Sequence, residues 1–380
     1  MEITLDELNK LSADEYRLID IRDEVSFEYG HLDGAVNMTP EELTDGRVGK
    51  DKKIIVYCKS GVVTRDIAEK MCADGYSAYS LEDGYIGWLR GKIAADGADK
   101  ERLDKIEKSI QKKFRKELLS KFAAAINKYD MLREGDRVAV CISGGKDSML
   151  MAKLFQELKR HNKFPFELCF LVMDPGYSAE NREVIEHNAK LMRIPITVFE
   201  STIFDSVYNI EKSPCYVCAR MRRGYLYSEA KKLGCNKIAL GHHFDDVIET
   251  TLMGMLYSGQ TQTMMPKLHS TNFEGMELIR PMYLIREADI KRWRDYNDLH
   301  FIQCACKFTD TCTSEACLTS ERTGSKRLET KHIIERLKKT NPYVENNIFK
   351  SMENVNLETV ISYKDKNGVH SFLDDYDSGR

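Results

Sequence analysis

Four groups of residues in this chain carry side chains suited to chemistry. The first is Ser143-Gly144-Gly145-Lys146-Asp147-Ser148. Two glycines let backbone amides approach an anion, Lys146 adds a full positive charge, and a helix opening behind them adds the partial charge of its N-terminus. The mononucleotide loop G-x-x-x-x-G-K-[ST] does not match, because Val140 stands at its first glycine and Asp147 at its Ser/Thr. A phosphate site without γ-phosphate cleavage is therefore expected. The second group is Gly241-His242-His243-Phe244-Asp245-Asp246 with Glu249. Paired carboxylates at a strand end hold Mg2+ or orient an attacking group. The third is Cys215-Tyr216-Val217-Cys218, with Cys304, Cys306, Cys312 and Cys317 far downstream. A zinc finger brings its second ligand pair within roughly 12–20 residues, so the longer gap implies a site assembled across the fold. Three readings stand side by side: an iron–sulfur cluster, a structural zinc on four thiolates, or a redox disulfide pair. The fourth is Cys58, followed by Lys59-Ser60-Gly61-Val62-Val63-Thr64-Arg65. Loop amides there would cradle the sulfur and lower the thiol pKa, with Lys59 and Arg65 assisting. Such a cysteine is a nucleophile that can carry a persulfide.

These groups need strands and helices to hold them. Leu18–Ile21, Ile54–Tyr57 and Ser77–Leu81 are short apolar runs of buried parallel strands, with a helix over Thr64–Ala73. This gives an α/β unit over residues 1–91 with Cys58 at a strand end. Residues 92–104 are small, polar and charged, and are expected to form a linker. From Lys105 to Lys128 a helix is expected, because Ile106, Ile110, Phe114, Leu118, Phe122 and Ile126 form a stripe. Strands over 138–142, 168–173, 196–200 and 237–240 alternate with helices from Met149, over 179–192 and over 219–233. That order predicts a doubly wound parallel sheet over 105–345, with ligands at the carboxyl ends of its strands. Residues 346–380 are expected to be a tail.

A chain of 380 residues exceeds one compact core, so two domains are expected. The opening MEITLDELNK lacks the basic start and apolar run of a secretion signal, and no apolar stretch reaches membrane-spanning length. A cytoplasmic location without membrane contact follows, and there a disulfide framework is disfavoured despite the 11 cysteines. Cys72, Cys141, Cys169 and Cys235 sit in apolar patterns and read as buried packing. The net charge of −3 argues against wholesale nucleic-acid binding and leaves local basic faces as candidates. Those are Lys108–Lys116, Arg220–Arg223, Arg292–Arg294 and Lys326–Lys339. Tyr225, Tyr227 and Trp293 are candidates for stacking on single-stranded bases.

The loop at 143–148 resembles the PP-loop of the ATP pyrophosphatase superfamily. The resemblance implies that Ser143, Gly144, Gly145, Lys146, Asp147 and Ser148 hold the pyrophosphate of ATP. AMP would be attached to a carbonyl or carboxyl oxygen, with Asp245 and Asp246 as the second nucleotide-site motif. From about 105 to 345 the chain resembles the tRNA 2-thiocytidine synthetase family. The residues that carry this are KFRKELLSKFAAAINKYDMLREGDRVAVCISGGKDS, the C-x-x-C-x-x-x-R-R pattern from Cys215, and a late Ile-Gln-Cys. The resemblance implies sulfur placed on C2 of cytidine 32 in a tRNA anticodon loop, using ATP, Mg2+ and a [4Fe–4S] cluster. Cys215, Cys218 and Cys304 would hold the cluster, leaving one iron open to sulfide. The late pattern here is C-x-C where C-x-x-C is common, so Cys306 is the other choice for the third ligand. Cys312 and Cys317 keep a second metal site open.

Residues 4–91 resemble a single-domain rhodanese, through Asp20-Ile21-Arg22, Gly30–Asn37, the Cys58 loop and Gly84-Tyr85-Ile86-Gly87-Trp88. Val63 stands where many rhodaneses have a second arginine, which weighs against thiosulfate as donor more than against persulfide carriage. The implied partners are tRNA and a persulfide donor such as a cysteine desulfurase; a homodimer stays open. Fusion raises the effective concentration of a sulfur donor over its acceptor. The rivals are thiolation of another base or a small molecule, a PP-loop ligase, and an iron–sulfur or zinc redox sensor.

Overall fold

The computed structural model describes residues 1–44, 48–95, 100–161, 164–201, 214–302, 324–374 and 376–377; for 44, 94–95, 214–220 and 324–325 it describes the backbone only. The chain divides into two units, Met1–Phe244 with Met265–Ser325, and Asp245–Met264 with Lys326–Arg380.

The first unit contains two α/β layers. In the N-terminal one, β1 (Glu2–Ile3), β2 (Tyr16–Asp20), β3 (Val36–Asn37), β4 (Lys53–Tyr57) and β5 (Ala78–Leu81) form a parallel sheet in the order β1-β5-β4-β2-β3. Ile54 to Tyr57 on the central β4 are fully buried, which is why the run reads as uninterrupted apolar residues. Ile19, Val56, Ala68 and Met71 are among the side chains of its core. β4 therefore delivers Cys58 to the carboxyl end of a rigid strand.

The second layer contains β6 (Arg137–Ile142), β7 (Glu167–Asp174), β8 (Ile196–Glu200), β9 (Lys237–Ala239), β10 (Lys267–His269) and β11 (Glu277–Ile279). The order is β10-β11-β9-β6-β7-β8, parallel except for β10, which runs antiparallel at the edge. The chain moves outward from β6 through β7 to β8, then returns to the other side of β6 as β9. Strand order thus reverses between β6 and β9. A doubly wound sheet binds its ligand outside the carboxyl ends of the strands at that reversal. The loops after these two strands are residues 143–145 and 240–243.

The stripe before this layer is not one α-helix. Helix Lys100–Lys108 passes into two π-turn segments, Ser109–Lys113 and Arg115–Leu119, before helix Ser120–Lys128. A spacing of four outruns the 3.6 residues of an α-turn, so five such steps would wind the stripe off its face. Wider i→i+5 turns take up the drift, and all six apolar residues are buried. Helix Gly84–Ala95 continues past residue 91, and the next helix opens at Lys100. Most of the expected linker is therefore helical.

Glu107 clasps this segment to helix Lys146–Arg160, meeting Lys153 Nζ at 2.7 Å and Arg160 Nη1 at 2.9 Å. Burial opposes the Glu107 charge, yet Arg160 and Lys153 pull its pKa from 4.5 down to about 2. A depressed carboxylate stabilises the fold above its ordinary pKa and loses that contribution as pH falls toward the native value. Screening at a partly exposed site reduces the effect to about 1–2 kcal/mol. Glu107→Gln should accordingly destabilise the protein at neutral pH and nearly match it at pH 2.5, as read from urea midpoints across pH.

The second unit contains most of helix Phe244–Ser258, helices Gly324–Thr340 and Val344–Ser351, and a hairpin of β12 (Ser362–Asp365) and β13 (Gly368–Ser371). Arg327 joins its two segments, donating to Asp246 at 2.8 Å and Glu249 at 2.7 Å. The stretch expected as a tail thus holds a helix and a paired hairpin.

Candidate functional site: a phosphate loop and a strand-end cysteine

The loop after β6 is pinned by its own hydroxyls. Ser148 Oγ accepts from the Ser143 amide at 3.1 Å and donates to the Gly145 carbonyl at 3.0 Å. Gly144 has φ +84°, and a Cβ there would lie 2.5 Å from Ile185 Cγ1 and 2.7 Å from Ile302 Cδ1. The left-handed turn and the crowding both require glycine. Gly145 caps helix Lys146–Arg160, whose first amides face out of the loop. From the neighbouring strand end, Gly241 packs against the backbone of Asp147 and Ser148.

Lys146 is 3% exposed. Its Nζ lies 3.1 Å from Asp147 Oδ2 and 3.3 Å from Glu287 Oε1. Burial works against the ammonium, but these carboxylates hold it protonated and raise its pKa. Asp147 Oδ1 is buried with no hydrogen-bond partner among the described residues. An orphaned carboxylate oxygen beside a phosphate loop is the donor a hard cation takes. Asp245 and Asp246 fall in the first turn of helix Phe244–Ser258, which opens directly after the strand-end segment 240–243.

Two residues that the sequence did not single out complete the loop. One is Glu287. The other is Tyr29, whose phenol accepts from the Lys146 amide at 3.1 Å and donates to the Ile302 carbonyl at 2.9 Å. Burial raises the Tyr29 pKa, so the phenol is neutral. Neither residue has a spacing or motif that marks it; each reaches the loop only through the fold.

Cys58 lies at the carboxyl end of β4 and is 8% exposed. Its Sγ is 3.8 Å from Thr64 Oγ1, which is itself 2.7 Å from Ser80 Oγ. Both hydroxyls lie within hydrogen-bond distance of the Gly61 carbonyl. The Cys58 and Lys59 carbonyls accept from the amides of Tyr85 and Ile86 at 2.9 and 3.0 Å. Arg65 pairs with Glu2 at 2.5 Å, a partner the sequence did not suggest. At Gly84, φ is +54° and a Cβ would stand 2.7 Å from the Gly61 nitrogen and closer still to the Cys58 carbonyl oxygen. Gly84→Ala should therefore cost about 2–4 kcal/mol, through forbidden backbone and steric overlap. Thermal unfolding followed by a probe in the N-terminal layer should show the loss.

A PP-loop domain family matches residues 110–308, more than half of the chain, and a rhodanese-like domain family matches residues 4–90. A tRNA-cytidine(32) 2-sulfurtransferase of Syntrophotalea carbinolica is 32% identical over 234 residues, 61% of this chain and 86% of that one. The chain belongs to this PP-loop sulfurtransferase family. A second member, from Shewanella sediminis, is 34% identical over 259 residues, 67% of this chain and 77% of its own. Among solved structures, the U34-tRNA thiolase NcsA from Methanococcus maripaludis with its [4Fe-4S] cluster has a TM-score of 0.49 at 22% identity. It covers 63% of this chain and 78% of that one.

Within this sulfurtransferase the cysteines separate by environment. Cys215 and Cys218 fall near the start of helix Pro214–Lys232, three positions apart. Their side chains lie outside the described residues, as do Cys304, Cys306, Cys312 and Cys317. Cys141 and Cys235 are buried, and burial pushes each thiol up to about 12. Such thiols are inert packing, as their apolar surroundings in the sequence implied. Cys72 and Cys169 are half-buried.

The basic candidates are sorted by the fold. A cavity of about 970 Å³ is lined by Lys100, Lys105, Lys108, Lys112, Lys113 and Tyr296, among others. Lys113 Nζ sits 3.6 Å from the Tyr296 ring centroid. Arg294 donates to the Tyr29 carbonyl and to Asp295, so it is committed within the protein. Trp293 is fully buried and Tyr227 is 7% exposed, so neither is available to stack on a base; Tyr225, at 39%, is.

Proposed function

We propose that this sulfurtransferase thiolates C2 of cytidine 32 in the tRNA anticodon loop, consuming ATP and a sulfur carried as a persulfide on Cys58. What supports the choice of base is the match to tRNA-cytidine(32) 2-sulfurtransferases over 86% of a relative's length. The loop amides and Lys146 bind the β- and γ-phosphates. The C2 oxygen attacks the α-phosphorus, the bond to pyrophosphate breaks, and the oxygen becomes part of an AMP leaving group. Sulfur then forms a bond to C2 as the C2–O bond breaks, releasing AMP. Removing the outer sulfur of a persulfide as sulfide takes two electrons, which a thiol reductant supplies.

Asp147 would hold Mg2+ through its orphaned Oδ1, and we assign Asp245 and Asp246, as the family resemblance implies, to Mg2+ binding or to placing the adenylate. A Mg2+ ion would screen the phosphates as pyrophosphate departs. Cys215, Cys218 and Cys304 would hold a [4Fe–4S] cluster, which when bound would supply a place for sulfide. The cavity beside Tyr296, where five lysines and Arg102 outnumber Glu101, Asp104 and Asp298, suits the phosphate backbone of the tRNA. A cysteine desulfurase is the donor we favour for Cys58, in the cytoplasm where tRNA is modified.

Mass spectrometry of tRNA nucleosides from cells with and without the gene tests the acceptor. Loss of 2-thiocytidine on deletion is expected; an unchanged level removes cytidine from the scheme. Iron, zinc and sulfide analysis of anaerobically purified protein tests the cluster, and zinc alone would remove it.

A further inference from the structure

We infer that Tyr29 is a plug: with the N-terminal layer seated as it is here, its phenol takes the amide that a nucleotide phosphate needs, so this seating and ATP binding oppose each other. The inference rests on the reading of residues 143–148 as the phosphate loop. The Lys146 amide has a single hydrogen, and it is spent on the Tyr29 oxygen at 3.1 Å. The phenol proton goes to the Ile302 carbonyl at 2.9 Å, so the oxygen turns a lone pair toward the helix N-terminus. That is where an anionic oxygen would sit.

Three further contacts hold the plug. Arg294 donates to the Tyr29 carbonyl, Lys291 Nζ lies 3.9 Å from Glu28, and Lys146 Nζ stands 5.2 Å from the Tyr29 ring centroid. Lys146 is meanwhile neutralised by Asp147 and Glu287 rather than presented to a ligand. The phosphate-binding amide and the phosphate-binding lysine are thus both satisfied from within the protein. A nucleotide must displace the phenol to use either one fully. ATP binding would then loosen the sulfur carrier, and by linkage a seated carrier would weaken ATP binding by the same factor.

Calorimetric titration of the full chain with the non-cleavable α,β-methylene analogue of ATP and Mg2+ tests this. Tyr29→Phe keeps the ring and removes only the oxygen, so it should tighten binding about five- to tenfold, the worth of one competing hydrogen bond. Equal or weaker binding overturns the plug; weaker binding would make Tyr29 a nucleotide ligand instead. Hydrogen exchange on the unaltered chain gives a second readout. The analogue should speed exchange in helix Glu24–Tyr29, and unchanged or slower exchange overturns the proposal. Lys146→Gln separates the two layers of argument, because undiminished binding in that variant removes the phosphate-loop reading itself. If neither the native chain nor Tyr29→Phe binds the analogue, both readings fall.

Discussion

Lys146→Gln should reduce tRNA-dependent pyrophosphate release by about 100- to 1,000-fold, the usual cost of deleting one charge aimed at a transition state in a shielded site. In the proposed scheme charge builds on the departing pyrophosphate as the α-phosphorus is attacked, and Lys146 is the cation assigned to meet it. Its side chain is 4% exposed, so solvent screens it little. The same substitution leaves Asp147 and Glu287 without their shared partner, so some loss of stability accompanies it. Two measurements separate the effects. Thermal unfolding reports the stability loss, and pyrophosphate release at saturating ATP and tRNA, well below the melting temperature, reports the chemistry. Glu287→Gln supplies the contrast, because it frees Lys146 from one carboxylate and should leave pyrophosphate release within a few-fold of the native rate. A Lys146→Gln protein that melts lower but releases pyrophosphate at the native rate would make this lysine a structural ion-pair member.

Much of this arrangement could be read in the sequence, and the parts that could not have physical reasons. Buried parallel strands announce themselves as unbroken apolar runs, which is why β4 and β6 were found with Cys58 and Ser143 just beyond their ends. The loop stands out because its glycines, lysine and hydroxyls fall within a span of six, inside the region that a PP-loop domain family matches. Tyr29 was not legible. It lies 117 residues before Lys146 and 273 before Ile302, and no local rule relates a helix-end tyrosine to a distant loop. The stripe from Ile106 to Ile126 was read as plain α-helix, although a strict spacing of four already asks for wider turns. Arginines beside Trp293 and Tyr227 make them stacking candidates in the sequence, but Trp293 follows the buried Ile290 by one helical turn and shares its inward stripe. At the C-terminus the hairpin turns on Lys366-Asn367 between the paired Asp365 and Gly368, and a turn that opens on lysine rather than on Asn-Gly carries little local signal.

Cys58→Ala should abolish thiolation from a persulfide donor, to below about one-thousandth of the native rate, while leaving pyrophosphate release within about twofold. In the proposed scheme the two halves of the reaction use different parts of the chain: adenylation would need the loop after β6, and sulfur carriage a thiol after β4. An alanine at 58 removes the sulfur atom that must be loaded but leaves the buried backbone bonds of its loop, from Tyr85 and Ile86 to the carbonyls of 58 and 59, in place. The loss should therefore be chemical rather than structural, and the melting temperature should change little. Free sulfide supplies the next step without a carrier, so it should restore thiolation to Cys58→Ala and fail to restore it to Lys146→Gln. The near-complete burial of Cys58 adds a kinetic expectation. A bulky donor protein has little of the thiol to reach in this seating, so loading should be slow unless the layer shifts. Radiolabelled sulfur transfer from a desulfurase to the chain, with and without the ATP analogue, measures that rate. If Cys58→Ala accepts label and thiolates tRNA at the native rate, the N-terminal layer is not the sulfur carrier, whatever its fold.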